Sequence, residues 1–281
     1  MKITMMYDVV RTEEKMLVDA AERKGVNLNL QRSEDIYFDL QKDYSKEFGD
    51  IVLQRCVSYF RSIHLTAALE YSGIKVVNGL REATTAGNKL NTTLALIRAK
   101  VPVPHTYLAF NQEASLKALE ELGYPAVLKP TVGSWGRLIA MLKDPETAES
   151  ILEDREYMFP IYQVYYLQER VKRPPRDIRA FVIGDRVVAA IYRVSAEGVW
   201  KTNTARGGRA ENCPITPELE DICLRAAGAV GEGIFGVDCM ESPEGLVVHE
   251  VNNTIEFRNT VPATGVDIPG LIFDYLVSLK R

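Results

Sequence analysis

Residues 234–252 read IFGVDCMESPEGLVVHEVN, and the way this stretch pairs with itself decides the fold. Two apolar, strand-like runs flank Ser242-Pro243-Glu244-Gly245, a composition that makes turns. A turn centred on Pro243-Glu244 pairs residues whose numbers sum to about 487 or 488, so Asp238 faces Glu250. Asn252 follows two residues later on the Glu250 face. Opposed carboxylates repel unless something compensates them. A hard divalent cation does so, and Asp, Glu and an amide oxygen form a set that suits Mg²⁺. A register slipped by one residue would instead leave the pair on a solvent-facing sheet. His249 alternates with Glu250 and is expected to point the other way, as a structural histidine.

Upstream of this hairpin, Lys129 ends the apolar run Ala126-Val127-Leu128 and precedes the loop VGSWGR, residues 132–137. A strand lysine beside a glycine loop can aim its ammonium at a phosphate held by backbone N–H groups. Lys89, near the start of a predicted helix, could reach the same phosphate from the opposite side. Either lysine alone reads as an ordinary surface charge, and VGSWGR lacks the spacing of a P-loop. Arginines crowd the C-terminal part at 176, 179, 193, 206, 209 and 258, which points to anion handling.

Strand and helix patterns alternate over the first eighty residues: KITMMYDVV, a helix capped by Thr12 and ended by Gly25, DIVLQRCVS, a helix near 60–72, and GIKVVNG. That order predicts a small parallel sheet. The segment KRPPRD, with paired prolines, marks a boundary before two strands joined at Gly184-Asp185. The fold class is therefore α/β (α+β), divided into 1–86, 87–173 and 174–281.

The chain of 281 residues is 46% hydrophobic and 26% charged, with net charge −4. These values predict a soluble protein without bulk affinity for nucleic acid. No apolar stretch is long enough to span a membrane, and the opening run is too short for a secretion signal. Cys56, Cys213, Cys223 and Cys239 show no CxxC spacing and read as buried thiols of a cytoplasmic protein. His64, His105 and His249 form no nucleophilic triad with serine and an acid.

Taken in order, KPTVGSWGR, YYLQERV, RDIRAFVIG, NTARGG and GVDCME…VHEVNNTIEFRNT resemble the ATP-grasp superfamily, and more narrowly its RimK-like branch. LQRCVSYFR, EFRNT and TGVDIPG are similar to the carrier-dependent ligases of lysine and arginine synthesis in that branch. The resemblance implies an ATP-grasp fold: an N-terminal α/β domain followed by two α+β units that clamp ATP. It implies that Lys89 and Lys129 contact the phosphates, under a flap of Gly133, Ser134, Trp135 and Gly136. Gln168 and Glu169 would meet the adenosine, and Asp238, Glu250 and Asn252 would hold one or two Mg²⁺ ions. Arg179 and Arg193 would stabilise an acyl phosphate and the tetrahedral intermediate. Asn203, Arg206, Arg258, Asn259 and Thr260 would bind the amino-acid substrate.

That substrate would be α-aminoadipate, with glutamate or dual use as alternatives. The acceptor would be the C-terminal glutamate of a small acidic zinc-binding carrier protein of the LysW type. A basic mouth for it is expected from Arg55, Arg61, Lys172, Arg173 and Arg176. A RimK-like glutamyl ligase acting on another acceptor and a non-catalytic nucleotide binder are the competing readings. Relatives of this kind assemble as dimers or tetramers, so a homo-oligomer is expected. Two positions depart from the family pattern: Asn88 stands where an aspartate is common, and Asn253 where a histidine is. Arg137 carries no assignment.

Overall fold

A computed structural model describes residues 1–133, 136–196 and 208–279 of the chain. The first unit is a four-stranded sheet of β1 (Lys2–Tyr7), β2 (Asn27–Arg32), β3 (Ile51–Gln54) and β4 (Lys75–Val77), in the order β2-β1-β3-β4. Every pairing in it is parallel, as the alternation of elements predicts. Helices α1 (Thr12–Lys24) and α2 (Tyr59–Tyr71) connect its strands, and α3 (Leu80–Ala86) leads out of it. The strand β2 was not foreseen, because NLNLQR is a half-exposed edge with little apolar signal. The start of α1 also differs from expectation: Arg11, not Thr12, holds the cap position. Its backbone N–H donates to the Glu14 carboxylate at 3.0 Å, so the third helical residue supplies the acceptor that a capping threonine would have provided.

Helix α4 (Lys89–Arg98) opens the second unit, and Asn88 caps it by accepting from the Leu90 N–H at 3.0 Å. This accounts for Asn88: a short amide ends the turn and starts the helix that carries Lys89. The unit continues through β5 (Thr106–Ala109), α5 (Gln112–Leu122), β6 (Ala126–Lys129), β7 (Ala140–Leu142), α6 (Pro145–Glu156) and β8 (Tyr165–Glu169). Its antiparallel sheet runs β5-β8-β6-β7, with Leu119, Ala148 and Leu152 of the helices packed on Leu128, Tyr165 and Leu167.

The third unit is a five-stranded antiparallel sheet in the order β11-β10-β9-β12-β13. Its strands are β9 (Arg176–Ile183), β10 (Arg186–Val194), β11 (Arg209–Asn212), β12 (Ile234–Ser242) and β13 (Gly245–Asn252). Helix α7 (Pro217–Val230) crosses between β11 and β12, while α8 (Thr260–Thr264) and α9 (Ile268–Ser278) follow β13. Gly184 turns β9 into β10 at φ 61°, and a side chain there would strike the Tyr275 ring.

Strand alternation divides the faces of this sheet. Ile178, Ala180, Val182, Phe235 and Val237 pack on α7, in a core that includes Leu219, Ile222, Ala226 and Val230. The opposite face presents Phe181, Ile183, Ile191 and Ile234 to Ile3, Met5, Leu53 and Val77 of the first unit, with α9 completing the core. One end of that second face is thus filled by the first sheet. Its other end carries charge and forms the wall of a cavity.

Candidate active site

On β9 the cavity-side positions beyond Phe181 are Arg179 and Asp177. Arg179 pairs with Asp238 across β9–β12, and Asp238 pairs with Glu250 across β12–β13. The Asp238–Glu250 pairing is the one that the turn composition predicts. From Ser242↔Gly245 to Cys239↔Val248 the register is regular, and a bulge then shifts it by one residue at Asp238. His249 is the extra residue of that bulge, and this overturns the expected alternation. Its side chain lines the cavity, with Nε2 buried and unpartnered among the described residues. A bulge re-aims side chains in this way. Burial, reinforced by Lys129, holds the His249 ring down to about 4.

The acidic wall is neutralised by cations of the same cavity. Arg179 donates to both Asp238 oxygens at 2.7 Å, a bidentate pair. Arg193, 6% exposed, donates to Asp177 at 2.6 and 2.9 Å and to Asp238 Oδ2 at 3.0 Å. Burial works against the Asp238 charge, but Arg179 and Arg193 outweigh it and hold the carboxyl well below its ordinary range. Lys89 Nζ donates to Glu250 Oε1 at 2.9 Å and to the Gly133 carbonyl at 3.0 Å. Its backbone N–H donates to the Thr131 carbonyl at 2.7 Å, so the start of α4 is tied to the glycine loop twice.

Lys129 faces Lys89 from the end of β6. It is buried and donates to Gln168 Oε1 at 2.5 Å. Burial, with Lys89 adding to it against the pull of Glu250, brings its ammonium down to about 8. The Gln168 amide in turn donates to Tyr166 and Thr106 hydroxyls, both at 3.0 Å. Gln168 is a side-chain rest for Lys129, and its own strand is paired on both sides.

Lys89, Lys129, Asp177, Arg179, Arg193, Asp238, His249 and Glu250 share one cavity of about 500 Å³. Gly133, Gly136, Ile139 and Arg173 also line it, together with Asn253, Thr254 and Glu256 beyond β13. Arg11, Val57, Ser58, Tyr59 and Ser62 of the first unit close the remaining wall. Val57, Ser58 and Tyr59 lie within the stretch LQRCVSYFR, but sequence reading assigned them no site role, and it missed Arg11 and Ser62.

Several expected residues lie elsewhere. Gln168 and Glu169 do not line the cavity; the Glu169 carboxylate accepts from the His105 backbone N–H at 2.7 Å. Arg258, Asn259 and Thr260 are also outside its wall, because the chain turns into α8 there. Thr260 is buried, and the Arg258 backbone N–H donates to Glu13 at 3.2 Å. Arg55 is 3% exposed and clamped to Glu14, so it forms no part of a basic mouth. Arg176 pairs with Glu241 at 2.7 and 2.8 Å and lies over the Tyr192 ring. Lys172 is exposed and Arg173 reaches the cavity. Ser134, Trp135, Asn203 and Arg206 fall outside the described residues.

The donor chemistry suits a hard cation. Among the described residues no three His, Cys, Asp or Glu side chains cluster as metal ligands, and the third oxygen of the candidate set is the Asn252 amide. A carboxylate offers about four acceptor positions. The hydrogen bonds to Asp238 occupy three and that to Glu250 one, so both retain acceptor capacity. Asn252 Nδ2 is buried without a partner among the described residues. All four cysteines are buried free thiols, as expected from their spacing. No described helix is long and apolar enough to cross a membrane.

Residues 86–276 match the RimK-like ATP-grasp domain, and residues 3–85 match the LysX preATP-grasp domain. The chain is 36% identical over 272 residues to the α-aminoadipate–LysW ligase LysX of Sulfurisphaera tokodaii, covering 95% of each chain. It is 30% identical over 282 residues to the glutamate–LysW ligase ArgX of the same organism, covering 98% of each. The crystal structure of a RimK domain ATP-grasp protein from Sphaerobacter thermophilus superposes with a TM-score of 0.83 at 26% identity. That alignment covers 98% of this chain and 99% of the other. The chain therefore belongs to the RimK-like ATP-grasp family, with a LysX-type preATP-grasp domain preceding the grasp domain.

Proposed function

We propose that this protein is an ATP-dependent, ADP-forming ligase that joins the amino group of α-aminoadipate to the C-terminal glutamate side chain of a LysW-type carrier protein. The observation that carries this reading is one cavity lined by Lys89, Lys129, Arg179 and Arg193 together with Asp238, Glu250 and Asn252, in which Lys89 pairs with Glu250 and both arginines pair with Asp238. Cations alone would suit any anion. Cations interleaved with hard oxygen donors suit a phosphate chain accompanied by a divalent ion. The relatives named for this reaction match over almost the whole chain.

Lys89 and Lys129 would hold phosphate oxygens, and the loop starting at Gly133 would cover them. Asp238, Glu250 and Asn252 would hold Mg²⁺, one or two ions, which when bound supplies charge neutralisation along the phosphates. The carrier carboxylate attacks the γ-phosphorus, and ADP leaves. The amine then attacks the acyl carbon of the resulting acyl phosphate, phosphate leaves, and the amine proton passes to solvent. Arg179 and Arg193 would stabilise the negative charge that develops, without forming a bond. The carrier is a small acidic zinc-binding protein, and Arg61, Lys172 and Arg173 offer it positive charge.

Glutamate is one methylene shorter than α-aminoadipate, a difference worth about 1–3 kcal/mol in a pocket. The ArgX likeness keeps it as the second reading. Phosphate release with purified carrier, ATP and Mg²⁺ separates the two. Faster release with α-aminoadipate is expected, comparable rates would make the enzyme bifunctional, and no release with either overturns the reading.

A further inference from the structure

Arg11 reaches the cavity from the first unit, 15% exposed at its side chain. Its Nε and Nη2 donate to the two Glu14 oxygens at 2.9 and 2.8 Å. Arg55, buried behind it, grips the same carboxylate with Nε at 2.9 Å. Glu14 is 1% exposed and is therefore a fixed anvil that sets the plane of the Arg11 guanidinium. Nη1 points across the cavity wall to Glu256 Oε1 at 3.3 Å, a long contact beside the short pair with Glu14. A guanidinium has five N–H groups. Those three contacts leave a second N–H on Nη1 and on Nη2, the fork that binds a carboxylate. Ser62, 3% exposed, lines the same cavity, and its hydroxyl has no partner among the described residues.

An α-amino acid carries its amino and carboxylate groups on one carbon. The Glu256 carboxylate and the Arg11 guanidinium, 3.3 Å apart on one wall, are complementary to that pair. Glu256 also lines the same cavity as the candidate metal ligand Asn252. We propose that Arg11, assisted by the Ser62 hydroxyl, binds the α-carboxylate of the amino-acid substrate, and that Glu256 exchanges Arg11 for the substrate amine. This rests on the ligase reading above and adds the residues that hold its second substrate. It also gives the first unit a role: it supplies the substrate's anchor, while the other two supply the phosphate site.

The test is direct binding of the amino acid by calorimetry to the full-length protein, which needs neither carrier nor turnover. Arg11→Gln is expected to weaken α-aminoadipate binding at least tenfold, and Ser62→Ala about threefold, as losses of a charge-assisted and a neutral hydrogen bond. ADP affinity should stay within twofold in both variants, which shows that the fold survives. The decisive comparison is 5-aminopentanoate, the same molecule without its α-carboxylate. Arg11→Gln should leave its affinity unchanged. Equal losses for both ligands, or no loss for α-aminoadipate in either variant, would overturn the assignment, as would a wild-type protein that binds no dicarboxylic amino acid. Binding that behaves as expected in a protein showing no phosphate release would sink only the carrier reaction, so the two failures are distinguishable.

Discussion

Lys89 Nζ lies 2.9 Å from Glu250 Oε1, so the lysine proposed to hold phosphate occupies an oxygen of the proposed metal set. On the proposed reading, nucleotide draws this lysine away from the carboxylate and an incoming cation replaces its charge. Lys89→Met is expected to weaken ADP binding by about 10–100-fold, the value of one charge-assisted contact. Calorimetric titration with ADP in the presence of Mg²⁺ reads this. Unaltered affinity would remove Lys89 from the phosphate site.

The second lysine predicts a pH dependence. Lys129 is held down to about 8, and only its protonated form attracts a phosphate. As pH rises through 8 the ammonium is lost before nucleotide arrives, so ADP must bring a proton with it. Affinity is expected to fall by about tenfold per unit above that value. Titrations at pH 7 and pH 9 check this; equal dissociation constants would contradict it.

His249 sets a limit on the acid side. Its folded value of about 4 lies below the ordinary histidine value near 6.5, so the unfolded chain binds the proton first. Stability is therefore unaffected above about 6.5, falls as pH drops toward 4, and loses up to about 3 kcal/mol in total. Urea unfolding at pH 7 and pH 5 should show the onset of this loss. His249→Leu should flatten it, and a slope that survives the substitution would place its origin elsewhere.

Asn78 joins the first sheet to the third. Its amide donates to the Ile234 and Asn253 carbonyls at 2.7 and 2.9 Å, and its oxygen accepts from the Ile234 N–H at 2.7 Å. Asn78→Ala strands two buried backbone groups of Ile234 and the half-buried Asn253 carbonyl, and is expected to cost about 2–4 kcal/mol. Urea unfolding measures that cost. A loss under half a kilocalorie would mean that water replaces the amide.

Sequence patterning revealed the ladder on which the site is built, because a short turn dictates partners and period two dictates faces. Asp238 opposite Glu250 follows from that, while the parallel first sheet follows from the alternation of strand and helix. The His249 bulge was hidden, since one inserted residue leaves no mark on the apolar pattern. Gln168 was legible as part of a strand, but its contact with Lys129 depends on the alignment of β6 with β8. Arg11 and Ser62 could not be found by motif. A buried Glu-Glu pair at 13 and 14, opening a helix that faces a core, was the one available signal of a charged partner nearby.

Intact-mass spectrometry of the carrier reads carrier-linked amide formation itself. An acidic carrier with a C-terminal glutamate is incubated with the enzyme, ATP, Mg²⁺ and α-aminoadipate. The account predicts a carrier heavier by one α-aminoadipate less one water, with no gain when Glu250→Gln replaces the wild type. An unchanged carrier mass with both α-aminoadipate and glutamate, from an enzyme that binds ADP, would contradict it.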